Sequence, residues 1–265
     1  MRKLTIEELH AHVLEMGKEF DRICRKHGIP YYMLGGTMLG AVRHKGIIPW
    51  DDDMDFGIPR QYYAEFEKYA KEELPSKFRF ITYRNSEYAC LGIGKMYDST
   101  TLFPEIYSVN AKEELGVNID IFPLDYTNGN KGFFSINRYM RSLFKIQKLL
   151  FVEAQNRTPA KRLLAKVAQC IFKIKRERIP AYIDSFMLKH QGKSHVFNIT
   201  GAWAMKELVP ANIFGTPTEY EFEDTKFYGV ENPDAYLKLL YGDYMQLPPE
   251  EKRHIHAINY YYRND

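Results

Sequence analysis

The residues with the clearest chemical potential are four aspartates that follow a glycine pair within one short segment. The segment from Tyr31 to Phe56 reads YYMLGGTMLGAVRHKGIIPWDDDMDF. Because an extended chain places alternate side chains on opposite faces, Asp51, Asp53 and Asp55 would share one face. Asp52 would then point away. Three carboxylates crowded on one face need a cation, so the spacing predicts a metal site.

The chemistry of the ligands indicates which metal this would be. Carboxylate oxygens are hard ligands that suit Mg²⁺ or Mn²⁺. No cysteine or histidine pair is placed to complete a soft zinc site. The alternative interpretation is a solvated acidic turn, since many charge runs are no more than that. The apolar residues on both sides of the run and the glycine pair upstream favour the metal site.

The glycine pair predicts a phosphate-binding turn next to the metal. Gly35, Gly36 and Thr37 follow an apolar run and precede a helix-like stretch. Their backbone amides could therefore hold a phosphate at a helix N-terminus. Arg43, at the end of the same stretch, could reach the phosphate because a guanidinium binds phosphate oxygens in a bidentate manner. His44 is a weaker candidate for the same contact.

The segment GGTMLGAVRHKGIIPWDDDMDFGI closely resembles the signature of the LicD and fukutin-related phosphotransferases, which belong to the nucleotidyltransferase-like superfamily. The resemblance continues in GIGKMYDSTT, in VNIDIFPLD and in YGDYMQLPPEEKRHIH. It touches most of the chain and is weakest between residues 130 and 215. It implies an α+β fold with a nucleotidyltransferase-like sheet core, flanking helices and a helical elaboration in the middle of the chain.

Sites of this superfamily usually present two carboxylates on one strand and a third on a neighbouring strand. Asp120, in VNIDIF, is the candidate for the third carboxylate, because Ile119 and Ile121 would face the core on either side of it. The alternative is a capping or ion-paired aspartate. Asp125 is a second candidate, but Pro123 predicts that the strand has ended before it.

Basic residues outside the signature could contact the substrate. Lys95 lies in a segment that otherwise reads as an apolar strand, and an inward-facing lysine needs an anion to offset its desolvation. Its ammonium group could instead reach solvent. Arg253, His254 and His256 form a small cluster that could close over the substrate or only cap the fold.

The resemblance implies transfer of a phospho-alcohol, typically phosphocholine from CDP-choline, onto a sugar hydroxyl of a surface glycan of the teichoic acid, lipopolysaccharide or capsule type, with release of CMP. Asp53 and Asp55 would hold one or two Mg²⁺ ions, with Asp51 as a further ligand. Asp120 would orient or deprotonate the acceptor hydroxyl, and would also be a metal ligand. Some relatives in this family use a CDP-linked polyol, so the resemblance does not decide which alcohol the donor carries.

Two other classes of function remain. The chain could be a nucleotidyltransferase that adds a nucleoside monophosphate to a small acceptor, or a glycan-binding member without activity. The presence of every aspartate that the mechanism needs argues against the latter. If the donor carries choline, aromatic faces should surround its trimethylammonium group. The candidates are Trp50, Tyr97, Tyr107, Trp203 and the run from Tyr260 to Tyr262.

Charge is segregated along the chain. The net charge is only +3, yet residues 131–180 contain thirteen lysines and arginines against Glu153 and Glu177, which is +11 for the segment and −8 for the rest. Apolar and basic residues alternate there at helical spacing. The segment predicts two amphipathic helices that either pack on the domain or also meet an anionic membrane surface. No base-reading motif is present, so we expect no nucleic acid partner.

The remaining patterns predict how these residues are positioned. Thr5 and Glu8 form a capping box for a helix that ends at Gly28. Further helices are predicted at 37–44 and about 60–74, and strands at 31–34, the aspartate segment, 78–83, 89–97 and 117–122. We expect a core at 1–130 that holds the metal site, a basic helical region at 131–190, and a largely irregular C-terminal part at 191–265 that packs back on the core.

Composition favours a reducing compartment. The 265 residues include three cysteines, Cys24, Cys90 and Cys170, which are far apart and lack metal-binding spacing. The N-terminal residues contain no signal-peptide pattern, and no apolar run is long enough to cross a bilayer. We therefore expect a cytoplasmic protein, with the basic segment available for peripheral contact at the inner face of the membrane.

Overall fold

The computed structural model of the chain describes residues 1–86, 91–103, 114–151, 158–160, 163–164, 167–168, 175–253 and 260–263. The helices are α1 (Ile6–His27), α2 (Gly35–Arg43), α3 (Arg60–Glu73), α4 (Lys131–Phe151), α5 (Arg178–Lys189), α6 (Ala211–Phe214) and α7 (Pro233–Tyr241). The strands are β1 (Tyr32–Met33), β2 (Asp55–Pro59), β3 (Phe78–Ile81), β4 (Gly94–Asp98), β5 (Thr101–Leu102), β6 (Asn118–Thr127), β7 (His195–Phe197), β8 (Leu208–Pro210), β9 (Thr218–Phe222), β10 (Thr225–Gly229) and β11 (Tyr261–Tyr262).

A mixed seven-stranded sheet forms the centre of the fold. Its strands follow the order β1-β2-β6-β4-β3, and β7 pairs with the far end of β6 and carries β8 at its own edge. Strands β2 and β6 are parallel, whereas the other pairs in the sheet are antiparallel. The pairs β9–β10 and β5–β11 form two small antiparallel sheets. This architecture confirms the predicted α+β fold with flanking helices.

Strand β6 connects the two parts of the large sheet. Its first residues, 118–121, pair with β4, and its last residues, 125–127, pair with β7. Pro123 lies between these stretches, at the position where this edge of β6 changes partners. A residue without an N–H is tolerated in a strand where ladder bonds are already interrupted. The prediction that the strand ends before Asp125 was therefore wrong.

Helix α1 forms as the sequence predicts and covers one face of the core. The Thr5 hydroxyl accepts a hydrogen bond from the Glu8 N–H, and the Glu8 carboxylate accepts one from the Thr5 N–H. The helix ends at Gly28, whose φ of 65° is in the left-handed region. Its buried face contributes Phe20, which contacts the rings of Phe56 and Phe66 in the main core.

A buried ionic network joins β6, α3 and α5. Arg60 donates two hydrogen bonds to the carboxylate of Asp125, at 2.6 and 2.7 Å, and also contacts Asp184. Asp184 in turn accepts from the Tyr83 hydroxyl at 2.5 Å and from Arg84. Asp125, the second candidate for a catalytic carboxylate, is therefore an ion-pair partner inside the protein.

The basic segment contains a long helix, as predicted. The buried face of α4 packs through Met140 and Phe144 on Ile183 and Met187 of α5. Half of the second predicted helix, RLLAKVAQCIFKIKRERI, lies outside the described residues. No helix among the described residues is both long enough and apolar enough to cross a membrane.

The C-terminal part is more regular than predicted. It includes the β9–β10 hairpin and helix α7, and its apolar residues join the main core. The prediction missed the hairpin because its turn, Glu223 and Asp224, lacks the usual Asn-Gly or Gly-containing signal. Glu223 adopts a φ of 53°, which a residue with a side chain seldom does.

Candidate active site

Three predicted site residues form a row across adjacent strands. Asp55 of β2 lies opposite Asp120 of β6, and Asp120 lies opposite Lys95 of β4. The Lys95 ammonium group contacts the Asp120 carboxylate and donates a hydrogen bond to Asn118 Oδ1 at 3.0 Å. The structure thus places the third carboxylate on the strand next to Asp55, and it places a cation next to that carboxylate.

The aspartates before β2 are arranged differently from the predicted alternation. Each of Asp51, Asp52 and Asp53 has a carboxylate oxygen within 4.8 Å of the others. Asp52 is only 4% exposed, so the prediction that it points away from the cluster was wrong. The reason is that β2 begins at Asp55. Residues 51–54 are not in a strand, so the alternation of faces does not apply to them.

Backbone hydrogen bonds hold the acidic segment against its neighbours. The Asp51 N–H donates to the Ile48 carbonyl at 2.8 Å, and the Asp51 carbonyl lies 2.8 Å from His10 Nε2. The Asp120 N–H donates to the Met54 carbonyl at 2.9 Å. The segment is therefore attached both to helix α1 and to strand β6.

The glycine pair brings the N-terminus of α2 next to these carboxylates. Gly35 has a φ of 48°, and its N–H donates to the Tyr236 hydroxyl at 3.2 Å. A Cβ atom on Gly36 would lie 2.8 Å from Asp51 Oδ2, so only glycine allows that carboxylate so close to the helix. The Thr37 hydroxyl accepts from the Asp55 N–H at 2.7 Å, which fixes the start of β2 against α2.

Crowding of negative charge changes the protonation of the cluster. The pKa of Asp55 is raised well above its ordinary value by desolvation and by the charges of Asp53, Asp120 and Asp51, with Lys95 opposing the rise. The pKa of Asp53 is raised by desolvation and by its acidic neighbours. Asp53 is exposed to solvent, so repulsion from the neighbouring carboxylates is the main cause of its raised pKa.

The donor set fits a hard divalent cation. The carboxylates of Asp51, Asp52 and Asp53 cluster, and Asp55 of β2, which is opposite Asp120 of β6, interacts electrostatically with Asp53, Asp120 and Asp51. All of these groups offer oxygen as the ligand atom. The raised pKa values of Asp53 and Asp55 indicate that the folded protein disfavours the ionised form of these two carboxyl groups when no cation is present. Asp51, Asp53, Asp55 and Asp120 could therefore hold Mg²⁺ or Mn²⁺, and Asp52 is close enough to take part.

A cleft of about 740 Å³ runs along α2 from this cluster. Gly36 and Asp51 line one part of it, and Arg43 and Arg253 line another. Arg43 donates a hydrogen bond to the Tyr244 carbonyl at 2.8 Å. Desolvation lowers the pKa of Arg43, and the charge of Arg253 contributes to the decrease.

The structure sorts the aromatic candidates by location. Trp50 lines the cleft, and Trp203 packs edge-on against the cleft residue Tyr241, with 5.0 Å between ring centroids. Tyr97 is buried in a small apolar cluster, and Tyr260 stacks on a ring of the core. Tyr107, His254 and His256 lie outside the described residues.

The sequence interpretation missed two tyrosines next to the acidic cluster. Tyr236 accepts the hydrogen bond from Gly35, and the Tyr241 hydroxyl lies 3.5 Å from the position of a Cβ on the same glycine. Tyr241 opens the motif YGDYMQLPP, so a signal was present. Tyr236 precedes the motif, and its role depends on a contact 201 residues away in sequence.

Glu207 provides a pH prediction. Burial raises its pKa to about 7 from an ordinary value of 4.5, although the Trp203 N–H and Arg141 favour the charged form. Between these values the folded protein keeps a proton that the unfolded chain has released, so stability should fall as pH rises through this window.

Glu207→Gln should remove the part of this decrease in stability that the ionisation of Glu207 causes. Thermal unfolding from pH 4 to 8, with the exposed-site variant Glu72→Gln as control, measures it. A wild-type decrease that persists unchanged in Glu207→Gln would contradict the prediction.

Comparison with known proteins identifies a family and several relatives, one of which matches nearly the whole chain. Residues 28–161 match the family described as the LicD/FKTN/FKRP nucleotidyltransferase domain. The chain is 29% identical to the lipopolysaccharide cholinephosphotransferase LicD of Haemophilus influenzae, over 97% of this chain and 98% of that protein. It is also 58% identical over 31 residues to the human and mouse ribitol 5-phosphate transferase FKRP, which is 12% of this chain and 6% of theirs.

Proposed function

Because the chain belongs to the LicD family, we propose that it transfers phosphocholine from CDP-choline to a sugar hydroxyl of a cell-surface glycan and releases CMP. The observation that carries the proposal is the row of Asp55, Asp120 and Lys95 beside the N-terminus of α2. The near full-length similarity to a cholinephosphotransferase supports the choice of phosphocholine. The acceptor would be of the lipopolysaccharide, teichoic acid or capsule type.

The residues of the cluster would hold the donor. Asp51, Asp53, Asp55 and Asp120 would bind Mg²⁺, which when bound would neutralise charge on the diphosphate. The N-terminus of α2 presents backbone amides and the positive end of the helix dipole to the same region. The N–H groups of Gly36 and Thr37 would in this way orient the phosphates. Gly35, whose N–H donates to Tyr236, would hold the start of the helix in place for this contact.

Asp120 would act on the acceptor. A sugar hydroxyl oxygen attacks the phosphorus distal to cytidine, its proton passes to Asp120, and the bond from that phosphorus to the CMP oxygen breaks. Lys95 contacts the Asp120 carboxylate and Asn118, and so fixes the orientation of the base. In this arrangement the base and the metal ligand Asp55 are cross-strand neighbours.

The direct test is release of nucleotide in the presence of Mg²⁺ and a glycan acceptor preparation. CDP-choline, CDP-ethanolamine, CDP-ribitol, CDP-glycerol, CTP and ATP are offered separately. We expect CMP from CDP-choline alone. CMP from another CDP-alcohol would change the assigned donor, and pyrophosphate from a triphosphate would support a nucleotidyltransferase. If none of the six donors releases nucleotide, the proposed activity is wrong for that acceptor.

We also propose that the exposed face of α4 meets an anionic membrane at the inner, cytoplasmic side. This face combines Phe134, Tyr139 and Ile146, which are 40%, 53% and 44% exposed, with the exposed cations Arg138 and Lys145. The opposite face of α4 packs on α5, so the exposed residues take no part in that contact. Apolar and basic residues on one helix face are typical of interfacial binding.

Charge reversal tests the membrane contact. Arg138→Glu combined with Lys145→Glu should reduce binding to vesicles that contain phosphatidylglycerol, and added salt should reduce wild-type binding in the same way. The control is Lys68→Glu with Lys71→Glu, which reverses two exposed charges on α3. Equal binding of all three proteins in a vesicle sedimentation assay would show that α4 only packs on the domain.

A further inference from the structure

The cleft along α2 has a carboxylate of the metal site at one end and two arginines at the other. Gly36 and Asp51 line the end next to the metal-site carboxylates, which we call the acidic end. Arg43 and Arg253, whose charges act on one another, line the other end, which we call the basic end, and the carboxylates of Asp243 and Glu250 also line the cleft. Gly36 and Arg43 are seven residues apart on the helix, which corresponds to about 10 Å along its axis. This length suits a nucleotide extending from a diphosphate held at the acidic end.

The basic end has hydrogen-bonding capacity for a ligand. Each guanidinium carries five N–H donors. Arg43 uses donors on the Tyr244 carbonyl and on His44, and Arg253 uses its Nε on the Pro248 carbonyl. Among the described residues, the carboxylate that pairs with Arg253 is Glu250, which lies 4.0 Å away with a side chain 90% exposed. Among the residues that the structure describes, no carboxylate forms an ion pair with Arg43.

Trp50 adds a flat apolar surface to the basic end. The Arg253 guanidinium carbon lies 5.0 Å from the centroid of the Trp50 ring, and His44 meets the same ring edge-on. A planar heterocycle with acceptor atoms can stack on such a surface and accept from the guanidinium groups. A quaternary ammonium ion would be repelled by both arginines. The charge of the basic end therefore discriminates between the two halves of a CDP-choline molecule.

We propose that Arg43, Trp50 and Arg253 bind the cytidine monophosphate half of the donor, and that the cationic head group lies at the acidic end beside Tyr241 and Trp203. This inference rests on the proposed function and adds the orientation of the donor to it. Tyr241 lies against Gly35 on the side of Asp55, and the exposed Trp203 packs on Tyr241. Aromatic rings next to carboxylates are the surroundings that a trimethylammonium group prefers.

The chain has two tryptophans. Trp50 lies at the basic end of the cleft and Trp203 packs on Tyr241 at the acidic end, so their fluorescence can report binding at each end. Trp203→Phe leaves Trp50 as the single indole, and Trp50→Phe leaves Trp203. With Mg²⁺ present, CMP should change the fluorescence of Trp50 in the first variant, and phosphocholine should change that of Trp203 in the second. The opposite pattern, with phosphocholine sensed by Trp50 and CMP by Trp203, would overturn the proposed orientation.

Binding constants provide the second test. By calorimetry with Mg²⁺, Arg43→Met and Arg253→Met should each weaken CMP binding by about tenfold or more, because each removes charged hydrogen bonds. Their affinity for phosphocholine should stay at the wild-type value. Arg22→Met, which removes an arginine paired with Glu19 and Glu73, is the control.

The outcomes distinguish failure of the proposed donor orientation from failure of the proposed function on which it rests. Wild-type protein that binds CMP, together with arginine variants that bind it equally well, would overturn the inference alone. Wild-type protein that binds neither CMP nor CDP-choline would overturn the proposed function and the inference with it. Weaker CMP binding with unchanged phosphocholine binding supports both.

Discussion

Asp55→Asn should abolish turnover while leaving the fold intact and slightly more stable. Asp55 is opposite Asp120 in the sheet and next to the acidic segment. Its loss would remove a proposed metal ligand and should reduce the rate by about a thousandfold or more. Folding should not suffer, because the contacts that position the residue are made by its backbone: its N–H donates to Thr37 and its carbonyl accepts from Leu34.

The gain in stability follows from the direction of the pKa shift. The pKa of Asp55 is raised in the folded protein, so without metal its ionisation destabilises the fold as pH rises above the ordinary pKa of an aspartate. Asparagine carries no charge and avoids this loss. We therefore expect a higher melting temperature for Asp55→Asn than for wild type at neutral pH in EDTA.

Two measurements check this result. CMP release with Mg²⁺ gives the activity, and thermal unfolding in EDTA gives the stability. Asp53→Asn should behave like Asp55→Asn, whereas Asp224→Asn, at an exposed ion pair with Lys18, should retain full activity. Turnover that survives in Asp55→Asn would remove this residue from the metal site. A marked fall in its melting temperature would mean that the carboxylate is structural.

Asp125→Ala should have the opposite effect, a loss of stability with no direct effect on chemistry. Its carboxylate accepts two hydrogen bonds from Arg60 inside the protein. The variant leaves the buried Arg60 with Asp184 as a remaining carboxylate partner. Removing one partner of a buried ion pair typically decreases the free energy of unfolding by about 3–5 kcal/mol, and the remaining contact should place the loss near the lower end of this range. Urea denaturation followed by circular dichroism measures the loss.

A double variant distinguishes a buried charge from lost packing. Arg60→Met combined with Asp125→Leu removes both charges and replaces them with apolar groups of similar size, so it should be less destabilised than Asp125→Ala. Arg84 still pairs with Asp184 in this variant. If the double variant is as unstable as the single one, the volume of these side chains matters and the ion pair does not.

The features that could be predicted from the sequence are those determined by nearby residues. Helix α1 is set by its capping box, its apolar periodicity and Gly28, all of which are local. Asp120 was placed beside Asp55 because the resemblance to a known family implied a third carboxylate on a neighbouring strand. The register between the two strands then follows from the burial of Ile119 and Ile121, since a shift of one residue would turn these side chains to the other face.

The features that were missed depend on contacts between distant residues. Strand β2 starts at Asp55 because its partner β6 begins pairing there, and β1 pairs with the next two residues. Nothing in DDDMDF itself indicates this boundary. Asp125 was misjudged for the same reason, since its partner Arg60 is 65 residues away. The cleft lies between α2 and residues 241–253, so its two charged ends could not be seen along the chain.

The parallel pairing of β2 with β6 also has a kinetic consequence. Asp55 and Asp120 are 65 positions apart in sequence, and a contact of this separation forms only after a large loss of chain entropy. Local structure such as α1 can form before that event. The carboxylates therefore converge late in folding, and partly folded chains cannot bind the cation with native affinity. Metal binding would then stabilise the completed native state by an amount that grows with the logarithm of the free ion concentration once this exceeds the dissociation constant.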